Sequence, residues 1–305
     1  MAISEIQEGD MMRRKTAQGN LTAFLTILIW GTTFVSTKVL LKSFEPVEIL
    51  FMRFVLGLLF LFAICPRILK VRERKQEVLF ALAGLSGVTL YYLMENIALT
   101  YTLAANVGVV VSVSPFITAI LSRFLSKEER LSSNFFVGFV VSMIGIFLIS
   151  FEGAVSLNPV GDILALLAAF VWAVYSLLVK KISHYGYSTI QTTRRMFIYG
   201  TVFMIPALCY FGFDVKMEAF KNPVNVLNLL YLGIGASAIC FVTWNVAVKI
   251  LGAVRTSIYI YMIPVVTVIF SVIVLHEKIT WKAGIGMVLI LAGLLLSEKK
   301  TAKES

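Results

Sequence analysis

Ten apolar runs, each long enough to cross a lipid bilayer, leave this chain few possible folds. They cover Leu21–Lys38, Val47–Cys65, Glu77–Leu99, Ala104–Leu125, Ser132–Phe151, Gly161–Val179, Thr189–Phe211, Val226–Val248, Ala253–Leu275 and Trp281–Ser297. A spanning helix needs about 20 apolar residues. Inside lipid every backbone N–H and C=O must find a partner within the protein, so a spanning run is a helix unless it closes a barrel. Barrel strands alternate in polarity over about ten residues. These runs do not alternate and are about twice that length. The expected fold is an all-α integral membrane protein with ten transmembrane helices. Charge content excludes a soluble domain: 14% of residues are charged, against about 25% in soluble proteins.

The net charge of +10 would suggest nucleic acid in a soluble protein. Here the basic residues sit in short clusters between apolar runs, where they read as topology signals, and no nucleic-acid partner is expected. One set of connections and tails (Arg13, Arg14, Lys15; Arg67, Lys70, Arg72, Arg74, Lys75; Lys127, Arg130; Lys180, Lys181; Lys249; Lys299, Lys300, Lys303) holds 16 basic residues. The alternate set (Lys42, Lys216, Lys221, Lys278, Lys282) holds 5. The positive-inside rule then places both termini in the cytoplasm, in a multi-pass protein of the cell membrane. Residues 1–20 are polar and contain no cleavable apolar segment, so the first spanning helix is expected to direct insertion.

The runs are not ten independent helices. Asn96, Ala98, Pro115 and Glu128 recur as Asn245, Ala247, Pro264 and Glu277, each 149 residues later. Trp30, Lys38 and Arg53 recur as Trp172, Lys180 and Arg195, each 142 residues later, and Gly138 and Gly145 recur as Gly286 and Gly293 at 148. Seven extra residues in the second half, near Phe213–Asn225, account for the change of offset. The chain therefore divides into a polar cytoplasmic head (1–19), a first five-helix repeat (20–152), a second (160–297) and a basic cytoplasmic tail (298–305). Five is odd, so the second repeat enters the membrane from the opposite side. Two inverted repeats are the usual plan of a secondary transporter, with the substrate site near mid-membrane where the repeats meet.

The Ala-Leu-x-Tyr-Thr-x-Ala pattern at Ala98–Ala104, Ser114-Pro115 within the next helix and Glu128 beyond it resemble the EamA-type carriers of the drug/metabolite transporter superfamily. The resemblance covers about residues 20–297. It implies a ten-helix carrier, a central cavity lined by the first four helices of each half, and a supporting or dimerising role for the fifth and tenth helices. Members export amino acids, other metabolites or drugs, and relatives exchange nucleotide-sugars or sugar phosphates. The second copy departs from the pattern, reading Ala-Val-Lys-Ile-Leu-Gly-Ala at Ala247–Ala253, with Arg255 where Asn106 stands in the first.

Candidate cavity residues are the aromatic and polar groups inside the runs. Trp30 and Trp172 lie near mid-depth, whereas Trp usually sits at the interface. Tyr175 is close to Trp172; Tyr91 and Tyr259 belong to the third and ninth runs; Thr33 follows Trp30. Glu95, Asn96, Asn106, Trp244 and Asn245 complete the set. An acidic residue inside a span is a candidate for substrate or proton handling. Helix packing is the plainer reading of any single aromatic residue.

Candidate hinge and gate residues are Arg53, Pro115, Glu128, Arg195, Pro264 and Glu277. A proline within a helix frees a carbonyl, here of Val111 or Ile260, and reads as a hinge. Arg53 lies about six residues, or roughly 9 Å, inside the outer end of its helix. Loop charges put it on the side of Glu277, and put Arg195 on the side of Glu128. Two cross-repeat latches, Arg53–Glu277 and Arg195–Glu128, are the sharper expectation. Snorkelling arginines and helix-capping glutamates are the plainer one. Gly286 and Gly293 line one face of the last helix and are a candidate homodimer face.

No phosphate-binding G-x-x-x-x-G-K-[ST], zinc H-E-x-x-H or nucleophile G-x-S-x-G motif occurs, so neither an ATP site nor hydrolytic chemistry is indicated. The two histidines, His184 and His276, are far apart, and the three cysteines have no C-x-x-C spacing, so no metal or other cofactor is expected. The expected function is not enzymatic. It is secondary-active transport of a small polar or amphipathic metabolite, as an exporter of amino acids, related metabolites or drugs, coupled to protons or driven by exchange. The alternatives are an exchanger of phosphorylated or nucleotide-linked metabolites and a membrane protein that does not transport.

Overall fold

The computed structural model describes residues 2–101, 104–125, 132–150, 158–214, 217–275 and 281–298. Glu128 and Glu277 lie outside the described residues, as do the side chains of Lys38 and Asn106. Among the described residues every regular element is helical: α1 (Ala2–Leu40), α2 (Pro46–Ile64), α3 (Arg74–Gly84), α4 (Tyr91–Tyr101), α5 (Ala104–Val111), α6 (Ser114–Leu125), α7 (Ser133–Ser150), α8 (Pro159–Ser183), α9 (Thr189–Phe211), α10 (Pro223–Leu230), α11 (Cys240–Leu251), α12 (Ala253–Ile258), α13 (Ile263–Leu275) and α14 (Trp281–Glu298). Two π-helical segments, Leu85–Leu90 and Tyr231–Ile239, join α3 to α4 and α10 to α11. Five stretches among the described residues are long and apolar enough to cross a bilayer: Pro46–Ile64, Arg74–Ala98, Pro159–Ser183, Pro223–Leu251 and Ala253–Phe270.

Helix boundaries follow local chemistry. Pro46, Pro159 and Pro223 open α2, α8 and α10, where a missing N–H costs nothing. Asn158 Oδ1 accepts from the N–H of Val160 and Gly161, and Asn222 Oδ1 from Val224, satisfying orphan donors of the first turn. Gly252, at φ 90°, ends α11 in a conformation that only glycine adopts without strain. The polar head is helical from Ala2 and continuous with the first apolar run. It has no proline and is rich in Glu, Gln, Met, Arg and Lys, all good helix formers.

Pro115 and Pro264 do not kink continuous helices. The chain breaks at residues 112–113, and Pro115 is the second residue of α6. A 3₁₀ turn, Tyr259–Met262, precedes Ile263, and Pro264 is the second residue of α13. A first-turn proline has no intrahelical bond to lose, so breaking the helix just before it removes the penalty.

The two halves interleave. The first-half α1 packs on α11 and α13, and the second-half α8 packs on α4, α5 and α6. The α2 helix packs on the second π segment, and α9 on the first. The α1–α11, α1–α13 and α2–π-segment contacts are thus answered by α8–α4, α8–α6 and α9–π-segment contacts.

Small residues allow these approaches. A Cβ added to Gly233 would lie 2.7 Å from Leu56 Cβ, and one added to Gly57 would lie 2.9 Å from the Gly233 carbonyl. The glycine faces of α7 and α14 meet each other: a Cβ on Gly145 would lie 2.6 Å from the Gly286 carbonyl, and one on Gly293 2.6 Å from that of Gly138. The Gly286/Gly293 face expected as a dimer surface is therefore occupied within the chain. A second copy would have to use another face.

Candidate functional site

A cavity opens between the halves where α1, α2, α4 and α8 converge. Trp30, Thr33, Thr37, Arg53, Tyr91, Tyr92, Glu95, Asn96 and Trp172 line it, with Val111, Ile260 and Ile263 as apolar wall. The space open to the centre of a water molecule is about 60 Å³, several times the 10–15 Å³ or so that one water needs. The helical period explains the wall of α1: Trp30, Thr33 and Thr37 stand at spacings of three and four, on one face. Tyr91 and Glu95 repeat that spacing on α4, and the Tyr91 hydroxyl donates to Glu95 Oε1 at 3.3 Å.

Arg53 supplies the positive wall. Its residue exposure is 5%, and a buried cation is costly unless it is held by partners. Its Nε donates to Ser237 Oγ at 2.9 Å, across the halves, and its guanidinium carbon lies 4.7 Å from the Tyr92 ring centre. That stacking contributes about 0.5–2 kcal/mol. Glu95, equally buried at 8%, supplies the negative wall. No ion pair joins Arg53 to Glu95 among the described residues. The lining offers both signs of charge to a guest, beside four aromatic side chains.

At Asn96 this cavity adjoins a wider one, with about 270 Å³ open to water centres, lined by Glu45, Val47, Leu50, Leu93, Ile97, Thr100, Tyr101 and Phe211. The two cavities share Asn96, and the wider one lies toward the end of the molecule where α4 finishes.

Toward the opposite end the described side chains pack closely. Trp30 packs on Trp172 and Trp244 at centroid distances of 5.3 and 5.1 Å, and the Trp30 Nε1–H donates to the Ala236 carbonyl at 2.9 Å. Below this layer Phe54, Phe197 and Phe241 pack edge to face. The Tyr175 hydroxyl donates to Asn245 Oδ1 at 2.8 Å, and Asn245 Nδ2 donates to Thr193 Oγ1 at 2.9 Å. Farther out, Arg195 pairs with Glu77 through two nitrogens, one at 3.1 Å, and the Tyr199 hydroxyl donates to Glu77 at 2.7 Å. Arg194 donates to the carbonyls of Cys65 and Arg67. Among the described residues a small cleft lies beside Asn245 and Lys249 at this end.

The structure therefore brings Trp30, Thr33, Tyr91, Glu95, Asn96, Trp172 and Arg53 to one cavity. Tyr175, Trp244 and Asn245 are buried in the sealed layer, and Tyr259 is buried in the same core cluster. Arg195 engages Glu77 of the other half; the latches expected with Glu128 and Glu277 involve residues outside the description. Thr37, Ser237 and Glu77 were not among the sequence candidates. Thr37 was within reach of the helical period. Ser237 and Glu77 gave no signal, because their partners are 184 and 118 residues away in sequence.

Comparison with known proteins identifies the architecture. An uncharacterized transporter of Archaeoglobus fulgidus is 32% identical over 288 residues, covering 92% of this chain and 97% of that protein. An uncharacterized transporter of Clostridium kluyveri is 26% identical and covers 94% of each chain. A probable terminal-alkyne amino-acid exporter of Streptantibioticus cattleyicolor is 26% identical over 282 residues, covering 91% of this chain and 92% of its own. A solved crystal structure 21% identical in sequence superposes with a TM-score of 0.76 over 92% of this chain and 96% of its own, so the fold is shared. Residues 17–151 and 159–298 each match the family described as EamA-like transporters, one match per half. With both halves matched and nearly the whole length covered, the chain is a multi-pass membrane protein that belongs to the EamA-like transporter family.

Proposed function

We propose that the chain is a secondary-active exporter that moves a small zwitterionic or amphipathic metabolite, of the amino-acid kind, across the cell membrane by alternating access. The observation that carries this reading is the lining of one cavity by Arg53 and Glu95 between aromatic walls, at the junction of two repeats. The guanidinium suits a carboxylate, Glu95 suits an ammonium group, and Trp30, Trp172 and Tyr91 suit an apolar body. The exporter of Streptantibioticus cattleyicolor supports the substrate class by likeness. Reciprocal packing of the halves supports ten spanning helices in two inverted repeats, which can exchange roles between two states. Loop charge supports cytoplasmic termini, so the open end faces outward and the Arg195–Glu77 end inward. Glu95 is the candidate for coupling to protons.

The exchanger of phosphorylated metabolites is the second reading. It needs several cations around one anionic group, whereas the described lining holds Arg53 balanced by Glu95. Uptake and counterflow in proteoliposomes, over a panel of amino acids, phosphorylated sugars and cationic drugs, with and without a pH gradient, test both. Movement of zwitterions is expected. Selective movement of phosphate esters would overturn the substrate class, and movement of nothing would overturn the carrier reading.

A further inference from the structure

Asn96 and Asn245 occupy equivalent places in the two repeats, 149 residues apart, yet the structure treats them in opposite ways. Asn245 is 3% exposed and held from two sides, by the Tyr175 hydroxyl and by Thr193. These bonds tie α11 to α8 and α9 across the closed end. Asn96 is half-buried, makes no side-chain hydrogen bond to another described residue, and is shared by the central cavity and the wider one beyond it.

The repeat supplies the missing partner. The offset of 142 that relates Trp30 to Trp172 relates Thr33 to Tyr175 and Phe51 to Thr193. Thr33 lines the cavity with Asn96, and its hydroxyl now donates to the carbonyl of Trp30 at 2.7 Å. We propose that Asn96 and Asn245 are paired gate residues. Asn245 closes the inner route through Tyr175 and Thr193, and Asn96 closes the outer route by accepting from Thr33 when the carrier turns inward. This rests on the alternating-access reading above.

The two gates are unequal. Phe51 cannot supply the hydroxyl that Thr193 gives Asn245. Val226 stands where Glu77 stands in the first repeat, at the offset that relates Gly84 to Gly233. The outer gate therefore closes with one side-chain bond where the inner closes with two and an ion pair. In the ligand-free protein the outward-facing state is favoured.

The test uses the full chain in sealed vesicles, with its three cysteines replaced and one reporter added. The reporter is Thr37→Cys in the outer cavity or Ser183→Cys beside the inner cleft. The readout is the rate of alkylation by a membrane-impermeant maleimide applied on the matching side. Tyr175→Phe and Thr193→Val, which keep the packing, are each expected to speed labelling of the inner reporter by about five-fold, the effect of one neutral hydrogen bond on the minor state, and to slow that of the outer by less. Asn96→Leu and Thr33→Val are expected to slow labelling of the inner reporter by about as much. Arg195→Gln serves as an independent opener of the inner end. If Arg195→Gln shifts the two reporters reciprocally while the asparagine, tyrosine and threonine variants leave both unchanged, alternating access stands and the paired gates are wrong. If no variant moves either reporter, alternating access falls as well.

Discussion

Arg53 and Ser237, 184 residues apart, meet at 2.9 Å across the junction of the two halves. Through that bond the second π segment orients the cation that lines the central cavity. The π segment itself packs on α2 through Gly233 and Gly57, so a local irregularity in one repeat positions the charged group of the other. Such segments are often found at functional sites.

Replacing Arg53 by lysine keeps the charge and loses the planar fork that binds a carboxylate from two positions. Arg53→Lys is expected to lower apparent affinity in proteoliposome transport by roughly ten-fold or more, since hydrogen bonds to charged groups contribute about 1.5–3 kcal/mol. Ser237→Ala leaves the guanidinium in place but loosely held, and a loss of a few-fold is expected. Equal losses in the two variants would contradict the assignment of Arg53 as the contact and Ser237 as its support.

The tryptophans Trp30 and Trp172 should respond differently to the same change. Trp30 Nε1–H has the Ala236 carbonyl, whereas Trp172 Nε1–H is buried and has no partner among the described residues. Trp30→Phe loses a buried hydrogen bond, at a cost of about 0.5–1.5 kcal/mol. Trp172→Phe removes an orphan donor and loses only packing. Thermal unfolding in detergent is expected to show the lower midpoint for Trp30→Phe, and the reverse order would refute this account.

The ion pair of Arg195 and Glu77 is about a quarter exposed on each side chain, so solvent screens it and its worth is about 0.2–1 kcal/mol. Glu77→Gln is therefore expected to open the inner end only a few-fold, read as alkylation of Ser183→Cys from that side. Raising the salt concentration should mimic the substitution weakly in the parent protein and have little effect in Glu77→Gln.

The seam between α7 and α14 has no spare volume at its glycines. Gly145→Val is expected to cost about 1–3 kcal/mol through overpacking, seen as a lower unfolding midpoint. Gly108 has nothing within 4 Å of an added Cβ. Gly108→Ala is expected to be neutral or stabilising, by up to about 1 kcal/mol, because alanine favours a helix.

Much of the architecture is written in local pattern. Apolar length dictates helices because lipid offers the backbone no partner, and the starts of α8 and α10 are legible as Asn-Pro. The repeat marks Trp30, Trp172, Arg53 and Arg195 as equivalent before any contact is known. The α1 wall of the cavity follows from the spacing of Trp30 and Thr33, which also predicts Thr37.

What the tertiary structure alone decided is which equivalents are in use. Sequence treats Asn96 and Asn245 alike, and equally Arg53 and Arg195. In the fold Arg53 stands in the cavity and Arg195 is paired with Glu77; Asn96 is open and Asn245 is bonded. In each pair one member lines the cavity, while the other is bonded to side chains outside it. The period of a helix gives the face a residue occupies, but the group that meets that face is set by tertiary contacts remote in sequence, as Ser237 meets Arg53 from 184 residues away.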